Sequence, residues 1–383
     1  MEPIDLKNYF GDEIPSIFVI DNGSYSLKAG FAGETIPRFE MPNIIGKMNH
    51  KGLKSKKQKN IIGNECYSLS SFIELTETFE NGKIKNWENM EKIWNHILFD
   101  ELKIVTEESL GLITESPLTP KANREKVVQI IFETYNLRGF YYLITAQACL
   151  YSIKKPTAFI IEIGKSCYLT PVYDTYCLPH ATQILNIGGD DLTKYLGNLI
   201  FQNQYSSFQS KISFEYQLLQ KIKEEFCYVA LDLNEETKNF EKNPENFEKT
   251  LEISNDKNFK IGKERFLVPE ILFNPSIINR NSPGISSLIL KSIERCDIDI
   301  RDDFYHNIIL AGGSSLFPFL ENRIEKEIRC FFPDAQVFAL ENRENLVWKG
   351  ASMYARSQTF FDKCYTWEEY QESGPSMIHV KVF

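Results

Sequence analysis

The first apolar run of the chain closes on an aspartate, an asparagine and a glycine: residues 18–34 read FVIDNGSYSLKAGFAGE. Asp21 stands where a strand should end. Asn22, Gly23, Ser24 and Tyr25 make a tight turn, and Lys28 follows in a second extended stretch. These residue types at this spacing suit a phosphate. Backbone N–H groups of the turn and a nearby cation face the anion, and the carboxylate serves the metal that travels with it. An Asn-Gly hairpin that only reverses the chain uses the same residues, so this segment by itself leaves both readings open.

Two later segments repeat the pattern, and the elements around them must do the positioning. In AFIIEIGKSCYLTPVY, residues 158–173, an apolar run reaches Glu162, then Gly164, Lys165 and Ser166, then a second extended stretch. In NIILAGGSSLFPFLENRIEKEI, residues 307–328, a strand ends in Gly312-Gly313, Ser314-Ser315 follow, and a helix comes next. Buried strands feeding tight turns produce such runs. Glycines between a strand and a helix N-terminus let backbone approach a ligand closely. The repetition predicts two similar α/β halves with a ligand between them.

Helices alternate with these strands. TPKANREKVVQIIFETYN has Thr119 as N-cap and Pro120 in the first turn, with Val127, Val128, Ile131 and Tyr135 at helical spacing. YQLLQKIKEEFCYVALD puts Leu218, Leu219, Ile222, Phe226 and Val229 on one face, with Lys223 and Glu224 beside it, where such charges are ordinarily solvated. Two stretches read as surface. Residues 46–65 carry Lys47, Lys51, Lys54, Lys56, Lys57 and Lys59, a solvated loop or a contact for an acidic partner. Residues 232–250 are rich in Asn and Glu and read as a surface excursion.

The bulk composition narrows the class. The chain has 383 residues, 43% hydrophobic and 25% charged, which suffices for a large core or two domains. A net charge of -9 argues against a nucleic-acid binder, which shows a basic footprint. The eight cysteines contain no CxxC pair and read as free thiols of a reducing compartment. The opening MEPIDLKNYFGDEIPSIFVID has early acids and no long apolar run, so neither a signal peptide nor a membrane anchor is expected. The expected location is the cytoplasm and its cytoskeleton, with the nucleus as the alternative.

With these segments in place, the chain resembles the actin family. The resemblance is carried by DNGSYSLKAGFAGE, NWENMEKIWNHILFDEL, TESPLTPKANREKVVQIIFETYN, PVYDTYCLPHA, GGDDLTKYL, IKEEFCYVALD, AGGSSLFPFLENRIEKEI and EEYQESGPSMIHVKVF, in the family's order over nearly the whole chain. It implies an α/β, actin/Hsp70/sugar-kinase-type fold of two domains around a nucleotide cleft. Residues 1–155 with 349–383 would form one half and 156–348 the other, with an inserted subdomain. It implies ATP or ADP with Mg²⁺ as ligand. Asp21 to Lys28 would be the first phosphate loop, with Asn22, Gly23, Ser24 and Tyr25 in contact and Asp21 holding the metal through water. Glu162, Gly164, Lys165 and Ser166 would be the second loop. Gly189 would lie near the ribose, and Gly312, Gly313, Ser314 and Phe317 on the adenosine side. Lys223 and Glu224 would reach the nucleotide, which lifts them above a solvated face.

The departures from the family pattern are as informative. The family orders its attacking water with a glutamine, an aspartate and a histidine around the γ-phosphate. Those positions here hold Thr145, with Gln147 two residues on, Glu162, in a loop shortened to GKS, and Tyr168. Positioning does most of the work in phosphoryl transfer, so nucleotide binding with weak or lost hydrolysis is expected. Tyr25 replaces a glycine of the first loop, and Glu344 stands where a lysine is common. The family's apolar plug loop reads PSIINRNSPGISS, where Ile277 and Ile278 are followed by Asn279, Arg280, Asn281 and Ser282. Burying Arg280 unpaired would oppose polymerisation. The partner groove would be lined by Tyr151, Tyr354 and Arg356, the last where a small residue is common.

The leading expectation is therefore a divergent actin-like or actin-related subunit using ATP as a conformational ligand. Its partners would be actin or other actin-related proteins, actin-binding proteins or a larger assembly, with no nucleic acid and no membrane. The alternative is a filament-forming divergent actin with slow ATPase. A sugar kinase or chaperone ATPase of the same superfamily is a weaker third reading, separable by sugar-dependent ATP consumption.

Overall fold

The computed structural model describes residues 15–48, 60–69, 72–80, 82–204, 212–254 and 257–381. The lysine-rich segment lies mostly outside them, so only Lys47 of its lysines is described, exposed in the strand Ile44–Met48. The chain divides into two compact units: Met1–Ile160 with Thr170–Thr182 and Asn345–Phe383, and Ile161–Leu169 with Gln183–Glu344.

The first unit is built on a six-stranded sheet in the order Tyr365–Thr366, Gly139–Ile144, Ser109–Glu115, Ser16–Asn22, Ser26–Phe31, Phe39–Pro42. Ser16–Asn22 and Gly139–Ile144 run parallel to Ser109–Glu115, while the Ser26–Phe31 and Phe39–Pro42 strands are antiparallel to their neighbours. Phe18, Val19, Ile20, Leu112, Ile113 and Phe140 are fully buried, as continuous apolar runs covered on both faces require. Outside this sheet, Ile44–Met48 pairs with Ile61–Ile62 and Ile73–Glu77 in a three-stranded sheet with its own small core of Ile61, Cys66 and Ile73.

A second six-stranded sheet has the order Tyr176–Cys177, Cys167–Tyr173, Ala158–Ile163, Ile308–Ala311, Val337–Phe338, with Gln183–Leu185 paired to Cys167–Tyr173. Helices of the second unit include Gly189–Gln204, Ile212–Phe226, Leu233–Lys242, Ile285–Glu294 and Leu320–Arg329.

Several local expectations need correction. The helix after Thr119 starts at Lys121 with Pro120 as its N-cap, because the Thr119 hydroxyl turns back to donate to the Ser116 carbonyl. It continues as a π-helical turn over Ile130–Thr134, and Val127, Val128, Ile131 and Tyr135 are all buried as their spacing predicts. Val229 is buried but lies beyond the end of Ile212–Phe226; its N–H donates to the Pro318 carbonyl. The helix expected after Ser314-Ser315 is present but starts only at Leu320, after a 3-10 turn over Gly313–Leu316 and Phe319 in the left-handed region. The 232–250 stretch lies at the surface, as its composition predicts, and within it Leu233–Lys242 is a capped helix, where the Asp232 carboxylate accepts from the Asn234 and Glu235 N–H groups.

Candidate functional site

In the first unit, strand register puts charged residues in a row. Asp21 pairs with Lys28, and Lys28 pairs with Glu40 on the next strand. Directly paired residues share a face of the sheet, so the order across three strands is acid, amine, acid. Thr114 closes the row from the other side: its hydroxyl donates to Asp21 Oδ1 at 2.7 Å and accepts from the Asn22 N–H at 3.1 Å. Burial pushes the Asp21 carboxyl up from its ordinary value, against the Lys28 ammonium and the Thr114 hydroxyl, which favour ionisation. A buried carboxylate held this way is a natural partner for a cation, directly or through water.

The turn beyond Asp21 is rigid for identifiable reasons. A Cβ at Gly23 would stand 2.3 Å from the Ser26 carbonyl oxygen, so only glycine fits. Asn43 fixes the rest: its Nδ2 donates to the Gly23 carbonyl at 3.0 Å and its N–H to the Tyr25 carbonyl at 2.8 Å. Thr78 Oγ1 in turn donates to Asn43 Oδ1 at 2.5 Å. Ser24 and Tyr25 are half-buried.

Thr145 opens the helix Thr145–Ile153, and its buried hydroxyl has no hydrogen-bond partner among the described residues. The Gln147 amide is engaged elsewhere, its Nε2 donating to the Thr175 carbonyl at 2.9 Å. Nearby in sequence, Glu115 and Arg124 form a buried ion pair at 2.6 Å, and burial pushes the Glu115 carboxyl up to about 7 despite the arginine.

In the second unit, three other segments meet around the backbone of Gly189. The Gly189 N–H donates to the Gly164 carbonyl at 2.9 Å. Lys223, only 5% exposed, donates from Nζ to the Gly189 carbonyl at 3.1 Å and to Thr193 Oγ1 at 3.0 Å. A Cβ at Gly189 would meet Ser314 Oγ at 2.9 Å, which places the third glycine-rich segment beside it. Gly312 has φ +87° and donates to the Arg343 carbonyl; Ser315 Oγ donates back to the Gly312 carbonyl. Phe317 is buried. Desolvation lowers the Lys223 pKa, with the acids Glu224 and Asp190 pulling it the other way.

Two backbone positions in this cluster stay open. A Cβ at Gly313 would meet nothing within 4 Å, and one at Gly164 would approach only the Ser166 carbonyl, at 4.0 Å. A cradle that a side chain would fill is what an anion approaching backbone needs. Lys165 does not extend into solvent: its Nζ lies 3.4 Å from Asp190 Oδ2. Glu162 is half-buried at the end of its strand, Tyr168 is buried, and Glu224 is exposed, accepting from the Gln220 amide. Glu344 is half-buried in the 3-10 turn Arg343–Asn345.

Three polar residues of these clusters give no sequence signal of their role. Thr114 and Asn43 act through partners 93 and 20 residues away. Asp190 reads in GGDDLTKYL as an acid at a helix start, which is favourable by itself.

Arg280 is paired within its own unit. Its Nη2 meets Asp191 Oδ1 at 2.7 Å and its Nη1 donates to the Asn186 carbonyl. Ile277 and Ile278 form a half-buried 3-10 turn before it. Tyr354 is buried between Tyr141 and Tyr151, with ring centroids at 5.4 and 4.7 Å, and Arg356 packs over Gly33. Among the described residues no group of His, Cys, Asp and Glu forms a metal site by itself, and no helix is long and apolar enough to cross a membrane. A family model described as Actin matches residues 11–383, essentially the whole chain.

Proposed function

Since this chain belongs to the actin family, we propose that it is a divergent actin-like subunit that binds ATP or ADP with Mg²⁺ as a conformational ligand, hydrolyses it weakly or not at all, and polymerises weakly by itself. The observation that carries the reading is the meeting of Gly164, Gly189, Lys223 and Ser314 around one backbone segment, with open backbone at Gly164 and Gly313. On this reading each set of residues has its own part in holding nucleotide. Asp21 holds the magnesium through water and Lys28 supports the phosphates. In the second unit Gly164 to Ser166, Gly189, Lys223 and the Gly312–Ser314 backbone offer the cradle for nucleotide. A bound metal supplies charge neutralisation of the phosphates, and it also favours the ionised form of Asp21, which burial opposes.

Weak turnover follows from the water-ordering positions. Thr145 offers a short buried hydroxyl, the Gln147 amide is held by the Thr175 carbonyl, and Tyr168 offers a buried phenol. A nucleotide that is bound and not consumed still selects whichever arrangement of the chain it binds more tightly. Weak self-association is supported by Arg280, whose ion pair to Asp191 ties the 275–284 loop to its own unit. Family members make actin-type interactions and typically act in the cytoplasmic cytoskeleton; the partners proposed here are actin, actin-related or actin-binding proteins, or a multi-subunit assembly.

The test is nucleotide content and turnover of purified monomer. Denaturation is expected to release ATP or ADP, and phosphate release with magnesium is expected to be slow and independent of protein concentration. Turnover rising with concentration, with sedimentable filaments, would establish instead a filament-forming divergent actin. Absence of nucleotide would overturn the ligand role.

A further inference from the structure

The helix Gly189–Gln204 opens on two adjacent acids that serve different partners. Asp191 Oδ2 accepts from the Gly188 N–H at 3.1 Å and Oδ1 meets Arg280. Asp190 turns the other way. Its Oδ2 lies 3.4 Å from Lys165 Nζ, and its Oδ1 accepts from the Tyr216 hydroxyl at 2.6 Å. The two side chains of the pair are 19% and 16% exposed, so the interaction is largely shielded from solvent.

The turn that carries Lys165 is held close to the same helix. A Cβ at Gly188 would stand 2.3 Å from the Lys165 carbonyl oxygen, and the Gly164 carbonyl accepts from Gly189. Lys165 and Asp190 are thus brought together by backbone packing as well as by charge. Tyr216, on the next helix, fixes the carboxylate in place, so little further ordering is needed to keep the pair formed.

We propose that Asp190 is a built-in competitor for the anion of this site: its carboxylate occupies Lys165, and a polyphosphate gains that cation only by displacing it. Asp190 is then a specificity-determining residue that sets nucleotide affinity, an inference that rests on the nucleotide reading above. The same carboxylate opposes any anion approaching the open backbone of Gly164. It acts on a second cation too, since it is among the charges that favour the protonated form of Lys223. One fixed acid therefore offsets two amines.

The test is calorimetric titration of the full chain, stripped of nucleotide, with ATP in the presence of Mg²⁺. Asp190→Asn keeps the size of the side chain and an oxygen for the Tyr216 hydroxyl while removing the charge. It is expected to tighten the Kd about tenfold, equivalent to ~1.4 kcal/mol. Lys165→Gln is expected to weaken binding more in the Asp190→Asn background than in the unmodified chain, the coupling that a merely structural acid would not produce. Asp190→Ser, which also suits a first helical turn, guards against a fold defect of the amide and should tighten binding similarly. An unchanged or weaker Kd in both Asp190 variants, with the unmodified chain binding normally, overturns the competitor role alone. No heat of binding in any of the proteins overturns the nucleotide reading and this inference with it.

Discussion

The turn after Asp21 and the turn at Gly164–Ser166 follow a similar sequence pattern and are solved differently. The first is tight because atoms leave no choice: Gly23 has no room for a Cβ, and Asn43 clamps two of its carbonyls. Its acid is buried and paired within a cross-strand row. The second is loose at its own glycine, which has space around it, and is positioned from outside by Gly188, Gly189 and Asp190. A sequence pattern that repeats does not imply that the same residue carries the constraint. In the first turn the restriction sits in the glycine of the turn and in Asn43, 20 residues on; in the second, beyond the Gly164 N–H bond to the Ser166 carbonyl, it sits in the helix start that receives the turn.

The comparison can be broken most forcefully at the acids. Asp21→Ala is expected to weaken Mg²⁺-dependent nucleotide retention by about 10- to 100-fold, the range for losing an outer-sphere metal partner. Nucleotide content after gel filtration with and without chelator measures it, and retention equal to the unmodified chain would remove Asp21 from the site. The glycines come next. Gly23→Ala is expected to destabilise the first unit by ~2 kcal/mol through forced backbone displacement, and Gly164→Ala by less than ~0.5 kcal/mol. The four tryptophans, Trp87, Trp94, Trp348 and Trp367, all belong to the first unit. Their fluorescence in a urea titration therefore reports Gly23→Ala, and far-ultraviolet dichroism follows both units.

The two regions should also respond to pH with opposite slopes. Glu115 is pushed up to about 7 from an ordinary 4.5, and Asp21 is raised as well. The folded state holds these protons more tightly than the unfolded chain. Their contribution to stability is therefore largest at low pH and is lost as pH rises, for Glu115 between about 4.5 and about 7. Lys223 is lowered, so its contribution improves as pH rises toward 10.5. Glu115→Gln is expected to flatten the tryptophan-detected stability between pH 4.5 and 7, the window its raised pKa defines. An unchanged profile would mean that Glu115 does not titrate there. The smallest effect belongs to Lys165→Gln in the otherwise unmodified chain, a loss of roughly two- to threefold in nucleotide affinity, because its ammonium already faces Asp190. A loss as large as that of Asp21→Ala would erase the contrast between the two turns.

Strands and turns were legible where apolar runs ended on acids and glycines, because burial on both faces writes a run and a tight turn demands its glycine. The segments around Asp21, Gly164 and Gly312 fall into place on that basis, and the family resemblance supplied the grouping of Gly189 and Lys223 with them. Lys223 shows why periodicity was not enough. It sits beside the apolar face of its helix, and only Gly189 and Thr193, 34 and 30 residues away, turn it from a solvated charge into a buried donor. The Arg280 ion pair is hidden from local sequence for the same reason, since its partner Asp191 lies 89 residues back. The Thr119 cap failed on a local competition between two carbonyl and amide partners that the residue type alone does not rank.

Asn43 stands between the strand Phe39–Pro42 of the large sheet and the strand Ile44–Met48 of the outlying one. It is buried, and it is bonded at once to both carbonyls of the first turn and to Thr78. Mechanically it is a hinge pin shared by two leaves. Torque applied to the small sheet, whether by a docking partner or by thermal rocking, reaches the Gly23 and Tyr25 carbonyls through one side chain and one peptide.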